Sequence, residues 1–253
     1  MQNRLSEHEM ERYSRHIQLP GIGVEGQLKL KSSSALLVGV GGLGSAISQY
    51  LIAAGIGRLG IADSDAVDLS NLQRQTIHRT EDQGLSKVES ARRFLNALNP
   101  HSQIDVYYKR FDLDNGIEIA APYEYLIDGS DNLLTRYLIN EIAVRQGKPY
   151  IYGAIYQFEG QVSVFDARQG PCYQCLFDQP PEKEPQKTSQ DLGVFGAIPG
   201  IIGSMETTEV LKLILELGEP LIGKLLMVDT LTMQTQLVSL KKNPKCPICG
   251  SKD

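Results

Sequence analysis

The residues with the clearest chemical meaning form a glycine-rich turn at positions 39–44. An apolar run at 35–38 precedes the turn, a helix-like segment at 45–54 follows it, and Asp63 closes the next apolar run, 59–62. This order places backbone N–H groups and a helix N-terminus against a phosphate, and a carboxylate against a ribose. The sequence therefore predicts a nucleotide site. The alternative is a tight turn that only packs a helix on a sheet, and the pattern alone does not identify the nucleotide.

A polar run follows the strand that ends near Asp63 and Asp65. Residues 70–75, Ser-Asn-Leu-Gln-Arg-Gln, offer amide and guanidinium donors at the carboxyl edge of the predicted sheet, where open α/β folds bind ligands. Arg74 can pair with a phosphate through two parallel hydrogen bonds. We interpret this run as a phosphate-binding segment, with a solvated turn as the alternative.

Two further charged residues stand where a phosphate or a metal ion would explain them. Lys87 follows Ser86, a predicted helix cap, and a cation at a helix N-terminus opposes the helix dipole. A phosphate would make Lys87 favourable, although an exposed surface lysine fits the sequence equally well. Asp131 follows a predicted strand at 125–128 and can hold Mg²⁺ between phosphates, because hard cations prefer carboxylate oxygen. A helix cap is its alternative or additional role.

The four cysteines form two Cys-x-x-Cys pairs, Cys172 with Cys175 and Cys246 with Cys249. Two such pairs indicate a structural zinc site with four thiolate ligands. The pairs are about 70 residues apart, so the metal would join the C-terminal tail to the body of the protein. Disulfides and a redox-active pair are the alternatives. A reducing cytosol disfavours disulfides, and a redox pair is usually single.

Composition excludes several classes of protein. The 253 residues are 42% hydrophobic and 22% charged, which is typical of one globular domain with at most a small appendage. The net charge is −5 and there is no dense basic stripe, so nucleic acid is not an expected partner. Residues 32–57 carry no formal charge, but their glycines and polar residues fit a buried strand, turn and helix better than a membrane span. The charged N-terminus has no apolar signal core, which predicts a cytoplasmic protein.

Strands alternate with helices over the first 154 residues, which predicts a mostly parallel sheet covered by helices on both faces. Capping boxes at Ser6/Glu9 and Ser86/Glu89 predict two helix starts. A hairpin at 154–165 that turns near 159–160, and two closing strands, add a C-terminal antiparallel portion. The fold class is therefore α/β and Rossmann-like. The other predicted elements are strands at 104–108, 125–128, 149–154, 225–229 and 234–240, helices at 115–121, 133–145 and 201–217, and a mobile loop at 178–191.

Taken together, these motifs resemble the MoeB/ThiF family, bacterial relatives of the ubiquitin-activating enzymes. The polar run at 70–75 is far more specific in this context than the glycine turn, and the segment 15–20 with Gly26 and Gln27 is closer to the MoeB branch. By themselves, Arg12, Arg15 and His16 indicate only a solvated helix face. The motifs that carry the resemblance cover nearly the whole chain: 12–16, 39–44, 63–65, 70–75, Lys87, Asp131-Asn132 with Arg136, and the two cysteine pairs.

The resemblance implies that the protein uses ATP to adenylate the C-terminal glycine of a small ubiquitin-like sulfur-carrier protein with a Gly-Gly end. The carrier's carboxylate is already ionised, so the enzyme must supply charge neutralisation and in-line placement rather than a strong base. It implies that Arg74, Lys87, Asp131 and Arg15 are catalytic, with Arg15 reaching across a homodimer. It also implies Mg²⁺ at Asp131 and zinc at the four cysteines. The expected nucleotide-binding residues are Gly39, Gly41, Gly42, Leu43, Gly44, Asp63, Asp65, Ser70, Asn71, Leu72, Gln73, Arg74, Lys87, Asp131 and Asn132.

We expect one adenylation domain over residues 1–253. It comprises an N-terminal helical arm at 1–30, a nucleotide-binding half at 31–155 and a carrier-binding, zinc-stapled half at 156–253. The predicted partner surface includes residues 150–165 and 178–191.

Ser189 stands where relatives often carry a cysteine. If zinc uses all four cysteines, no thiol remains for a thioester, and a separate protein must donate sulfur. A molybdopterin (MoaD-like) carrier is the favoured substrate, with thiamin (ThiS-like) and tRNA-thiolation carriers as alternatives. An NAD-dependent oxidoreductase and a non-catalytic scaffold are the alternatives from other classes.

Overall fold

The computed structural model describes residues 4–178 and 193–250. Its strands form one eight-stranded sheet in the order β3-β2-β1-β4-β5-β6-β7-β8. Neighbouring strands from β3 to β5 pair in parallel, and those from β5 to β8 pair antiparallel. The strands are β1 (Ser34–Val38), β2 (Arg58–Ala62), β3 (Gln103–Tyr107), β4 (Tyr125–Asp128), β5 (Tyr150–Tyr156), β6 (Glu159–Phe165), β7 (Lys224–Asp229) and β8 (Gln234–Ser239).

Helices cover both faces of the sheet. One apolar core joins β1 and β2 to the helices that begin at residues 42, 87 and 198, and a second joins β4 and β5 to those that begin at residues 113 and 133. The described helices are α1 (Glu7–Arg12), α2 (Ser14–Ile17), α3 (Gly23–Ser32), α4 (Gly42–Ala54), α5 (Lys87–Leu98), α6 (Leu113–Ala120), α7 (Leu133–Gln146), α8 (Tyr173–Leu176) and α9 (Ile198–Leu215). The predicted α/β fold, with its parallel and antiparallel portions, is confirmed.

The apolar run of β1 shows why the sequence folds this way. Four of its five residues are buried, because a central parallel strand has covering elements on both faces. Helix α9 packs against α4 and against the β5–β6 hairpin, which links the parallel and antiparallel halves. The carboxyl ends of β1, β2 and β4 therefore meet at one edge beside the glycine turn.

Three local predictions need correction. Ser86 stands at the cap position of α5 but makes no side-chain cap hydrogen bond, and Glu89 pairs with Arg92 instead. The hairpin turns at Gln157-Phe158, two residues earlier than predicted, with Gln157 in the left-handed region at φ +51°. Helix α3 was not predicted, because its four lysine and glycine positions interrupt the apolar pattern.

Other local predictions are confirmed or untested. The Ser6/Glu9 capping box is present, with Glu9 N–H donating to Ser6 Oγ over 3.2 Å. The predicted loop at 178–191 lies almost wholly outside the described residues, and Ser189 lies there too. Within the described ranges, none of the helices has the length and apolar character needed to span a bilayer.

Candidate active site

A cavity of about 400 Å³ lies at the carboxyl edge of the sheet, beside β1, β2 and β4. Its walls come from the glycine turn, the ends of two strands and the starts of α5 and α7. Ten of the predicted nucleotide-binding residues line it: Gly39, Gly41, Gly42, Leu43, Asp63, Asp65, Arg74, Lys87, Asp131 and Asn132. The structure therefore brings together, at one edge, charged residues from Asp63 to Asp131, which are 68 positions apart in sequence.

Two glycines of the turn are required by close approach of the backbone. Gly39 has φ +93°, and a Cβ there would lie 2.7 Å from the Gly129 carbonyl that follows β4. A Cβ on Gly44 would overlap the carbonyl oxygen of Gly39. These contacts bring the ends of β1 and β4 together, and the N-cap Gly41 offers no side chain to the first N–H groups of α4. A helix N-terminus whose first N–H groups have no side-chain cap is suited to bind an anion.

Asp63 is held rigidly at the end of β2. One carboxylate oxygen accepts from the N–H of Val40 over 2.8 Å, and the other accepts from the N–H of Asp65 over 2.8 Å. Burial raises the pKa of Asp63, and the nearby charge of Lys87 opposes that rise. The carboxylate thus ties the glycine turn to the next connection while it lines the cavity.

Lys87 is buried at the first position of α5, with its side chain 8% exposed. Its Nζ donates to the Asp65 carboxylate over 2.8 Å, and its backbone N–H donates to the Asp65 carbonyl over 2.9 Å. The anion at this helix N-terminus is, in this structure, the carboxylate side chain of Asp65. Because Lys87 and Asp65 both line the cavity, a phosphate could share the same ammonium group.

The polar run at 70–75 is only partly turned toward the cavity. Asp68 caps the turn at Leu69–Asn71 by accepting from Ser70 N–H over 2.8 Å, and Asn71 Oδ1 accepts from Asp68 N–H over 3.2 Å. Arg74 donates to the Ser70 carbonyl over 3.1 Å and lines the cavity with Gln75. Among the described residues, Gly44, Ser70, Asn71, Leu72 and Gln73 are absent from the lining.

The connection from β4 to α7 carries Asp131 and Asn132. Asn132 Oδ1 accepts from Thr135 N–H over 2.9 Å, so Asn132 is the N-cap of α7. The capping role that the sequence offers as an alternative for Asp131 therefore belongs to Asn132. Asp128, which is fully buried, accepts from Ser130 N–H over 2.9 Å and from Ser130 Oγ over 2.6 Å. Asp128 thereby fixes the turn that places Asp131 on the cavity wall.

Sequence reasoning missed three lining residues after β3. Lys109, Arg110 and Phe111 reach the cavity from the connection between β3 and α6. Since β3 is parallel to β2, its carboxyl end opens on the same edge. The position of this basic pair directly after a predicted strand was a usable signal.

Arg15 is not among the residues that line the cavity. It lies on a separate groove between the N-terminal helices, α4 and α9, together with His16, Tyr50 and Ser204. Its Nη1 is 3.4 Å from Gln18 Oε1. Any role for Arg15 in the chemistry would therefore need a second copy of the chain.

A second groove of about 490 Å³ adjoins the cavity. Ile155 lines both spaces, so the groove and the cavity meet at this residue. Aromatic residues such as Tyr137, Tyr152 and Phe177 line it together with the polar Glu159 and Gln161, and Arg136 is the cation of its lining. These walls belong to α7, to the predicted β5–β6 hairpin and to the residues after α8.

The four cysteines meet in one cluster, in which all sulfur atoms lie within 4.8 Å of one another. Cys172 and Cys246 are 3.6 Å apart, and Cys175 and Cys249 are 3.4 Å apart, so neither pair is a disulfide. Four sulfurs at about 2.3 Å from a tetrahedral zinc ion would be about 3.8 Å apart. The cluster therefore fits zinc. Asn140 supports it, with Nδ2 3.8 Å from Cys172 Sγ and Oδ1 accepting from Tyr173 N–H over 2.8 Å.

Comparison with known proteins adds to this geometry. The ThiF family model matches residues 13–248. A sulfur carrier protein adenylyltransferase of Thermus thermophilus is 45% identical over 252 residues, covering 98% of this chain and 93% of the relative. The SAMP-activating enzyme E1 of Haloferax volcanii is 43% identical, covering 96% of this chain and 89% of the relative.

A solved structure shows the same fold. Crystalline MccB of E. coli, in a complex with a MccA variant, has a TM-score of 0.82 at 22% identity, covering 95% of this chain and 75% of that one. MccB with ATP has a TM-score of 0.79 at the same identity, with 97% and 75% covered. With the family model spanning most of its residues, this chain belongs to the ThiF family.

Proposed function

We propose that the protein uses ATP to adenylate the C-terminal glycine of a small ubiquitin-like sulfur-carrier protein, releasing pyrophosphate. The observation that carries the proposal is the convergence of Arg74, Lys87 and Asp131 on the cavity beside the glycine turn. The enzyme class agrees with the names of the two relatives, a sulfur carrier protein adenylyltransferase and a SAMP-activating enzyme.

The cavity residues suit a reaction that needs charge neutralisation and alignment. Backbone N–H groups at the start of α4 and the cations of Arg74 and Lys87 would hold the phosphates, and Asp63 would hold the ribose. Arg74 and Lys87 would stabilise the negative charge that grows on the leaving pyrophosphate. The carrier's carboxylate would attack the α-phosphorus, and the product would be an acyl-adenylate, which a dry site protects from water.

Two metal ions belong to the proposal. Asp131, with Asp63 and Asp65 nearby on the same wall, provides the carboxylate oxygens that Mg²⁺ prefers, and the ion would neutralise phosphate charge. Cys172, Cys175, Cys246 and Cys249 would hold zinc, which would fix the C-terminal tail to the body of the domain.

The groove beside the cavity would receive the carrier's C-terminal segment. It meets the cavity at Ile155, and its walls include the β5–β6 hairpin that the sequence indicated as a partner surface. We favour a molybdopterin (MoaD-like) carrier. A thiamin (ThiS-like) carrier and a tRNA-thiolation carrier are the alternatives, because the groove chemistry suits any small Gly-Gly end.

Sulfur transfer would be a separate step that uses another protein. If zinc uses all four cysteines, this chain would have no free thiol for a thioester or a persulfide. Ser189 stands at the expected cysteine position in sequence. Replacing Ser189 with alanine should leave adenylation intact.

The active form would be a homodimer. Arg15 lies on the groove with Tyr50, which is 57% exposed on α4, and this face would pack against a second copy. Arg15 of one protomer would then reach the nucleotide of the other.

Carrier-dependent exchange of labelled pyrophosphate into ATP tests the proposal. The purified protein should catalyse exchange only with Mg²⁺ and a carrier that ends in Gly-Gly, and a carrier lacking the last glycine is the matched control. Absence of exchange with all three carrier types would contradict the proposal. Binding of NAD without ATP would indicate an oxidoreductase, and carrier binding without exchange would indicate a scaffold.

A further inference from the structure

Arg136 on α7 belongs to the sequence motif, yet the proposed chemistry gives it no role. Its side chain is 15% exposed, and its buried Nε has no hydrogen-bond partner among the described residues. A buried donor without an acceptor costs free energy. That buried Nε faces Asp128, so the exposed part of the side chain, which lines the groove, is the part that can donate to a bound group.

The charge of Arg136 is already balanced. Asp128 Oδ2 lies 3.7 Å from Arg136 Nε, and Asp128 is fully buried. Two further acids lie near Arg136: Glu206, whose pKa burial raises well above its ordinary value, and Glu159, which lines the same groove. An arginine paired with one buried carboxylate offers free N–H groups but little uncompensated charge. Neutral acceptors such as peptide carbonyl oxygens suit it better than a phosphate or a carboxylate.

Arg136 also lies where a peptide would pass. It lines the groove that meets the nucleotide cavity at Ile155, and its guanidinium carbon is 5.7 Å from the centroid of the Tyr152 ring. The aromatic face holds the guanidinium plane in place. Arg136 is the charged donor of this lining that main-chain carbonyls of an extended segment in the groove would meet.

We propose that Arg136 donates hydrogen bonds to main-chain carbonyl oxygens of the carrier's C-terminal segment and thereby sets the affinity for the carrier but not for ATP. This inference rests on the proposed adenylation, because it assigns a substrate contact to that same site. Asp128 is the positioning residue, since it holds the guanidinium while it also fixes the turn before Asp131.

The test compares Arg136→Met and Arg136→Lys with wild type in pyrophosphate exchange. Arg136→Met should raise KM for the Gly-Gly carrier about 10- to 100-fold, the range expected for a lost hydrogen bond to a charged donor. The affinity for ATP, measured by calorimetry without carrier, should stay within about twofold of wild type. Arg136→Lys keeps the charge beside Asp128 and should show a smaller rise in carrier KM.

Arg145→Met is the matched control, because Arg145 lies on the same helix and pairs with Glu141 at the surface. It should leave both constants unchanged. An unchanged carrier KM in Arg136→Met, or an equal loss of ATP affinity, would overturn the inference. If Arg136→Met does not fold, the carrier KM and the ATP affinity of Arg136→Lys test the inference instead. Failure of wild type to catalyse any exchange would instead contradict the proposed function.

Discussion

At the scale of single residues, the cavity combines charges that individually have ordinary explanations. Lys87 pairs with Asp65, and Arg74 donates to a nearby carbonyl. What distinguishes them is the shared wall, where Lys109 and Arg110 add two more cations. Four cations facing three acidic residues give the wall a net positive charge that suits a polyphosphate carrying one divalent ion.

Asp131→Asn tests the metal role of this wall. The substitution keeps the shape of the side chain but removes the charge that Mg²⁺ requires, so carrier-dependent exchange should fall by at least about 100-fold. The thermal midpoint should stay within a few degrees of wild type, because Asp131 is exposed. Asp114→Asn, an exposed aspartate on α6, is the control and should remain fully active. Near-normal turnover of Asp131→Asn would contradict the assignment of Mg²⁺ to Asp131.

The sequence predicted Asp63, Asp65, Arg74 and Asp131 from their positions after strands, and Lys87 from its position at a helix start, but it missed Lys109 and Arg110. It could not predict which side chains of the run at 70–75 face the cavity. Ser70 and Asn71 form the local turn with Asp68, and that outcome depends on competition between local and ligand hydrogen bonds. Whether a bound nucleotide rearranges this turn stays a prediction.

At the scale of elements, the glycine turn and α9 fix the geometry of the cavity. Pro199 and Gly203 of α9 pack against Gly42 and the Leu43 carbonyl at the start of α4. Movement of α9 would therefore displace the glycine turn that lines the cavity. The sequence predicted both helices from their apolar content, but a contact between segments 160 residues apart has no local signal.

Gly44→Ala tests the turn. Its Cβ would overlap the Gly39 carbonyl oxygen, so the turn must open. ATP affinity should fall at least about tenfold, and the free energy of unfolding should fall by about 1–3 kcal/mol, as expected for an overpacked site. Gly200→Ala is the matched control. Gly200 lies in the first turns of α9 with no atom within 4 Å of an added Cβ, so alanine should stabilise the helix by about 0.5–1 kcal/mol. Equal effects of the two substitutions in calorimetry and urea unfolding would contradict this account.

Glu206 gives α9 a pH dependence. Its carboxyl is fully buried against Gly153 of β5, and neither oxygen has a hydrogen-bond partner among the described residues. Burial raises the pKa of Glu206 well above its ordinary value, so at pH values above the ordinary carboxyl pKa the folded protein binds more protons at this site than the unfolded chain does. Burial of Glu206 therefore lowers the free energy of unfolding only at pH values above the pKa of this carboxyl in the unfolded chain, and the loss grows as the pH rises.

Glu206→Gln should remove this cost. At pH 7 the free energy of unfolding should increase by up to about 3 kcal/mol, the cost of protonating a carboxyl group with an ordinary pKa. The gain should shrink steadily as the pH falls toward 4.5. Urea unfolding at pH 7 and pH 5 measures the difference. A gain that is the same at both pH values, or a loss at both, would show that Glu206 is ionised in the folded protein.

At the scale of the whole molecule, the cysteine cluster joins two segments that are distant in sequence. Cys172 is the N-cap of α8 and Cys175 lies within that helix, whereas Cys246 and Cys249 lie in the C-terminal tail. The spacing predicted four thiolates in one cluster, and the structure places the sulfurs together. The sequence did not predict that the cluster lies beside the groove of Arg136. The structure shows it, since Tyr173 and Phe177 of that groove come from the first cysteine segment.

If the four cysteines hold zinc, its removal should loosen the half of the domain that carries the cluster. The purified protein should contain about one zinc ion per chain, and chelation should release it with a fall in the thermal midpoint. Cys249→Ser should lower the zinc content in the same way. Carrier binding should weaken more than ATP binding, because the cluster borders the groove and not the nucleotide cavity. Metal analysis that finds no zinc in freshly purified protein would contradict the assignment.

Arg15 provides the strongest test of the dimer, because the groove it lines is separate from the nucleotide cavity of its own chain. If each site takes Arg15 from the partner and Asp131 from its own chain, Arg15→Ala and Asp131→Ala should each be inactive alone. A mixed dimer of the two variants has one site with both residues intact. An equimolar mixture should then recover about a quarter of wild-type activity, since half of the dimers are mixed and each has one working site. If Arg15 acts within its own chain, no dimer in the mixture contains an intact site, and the mixture should stay inactive.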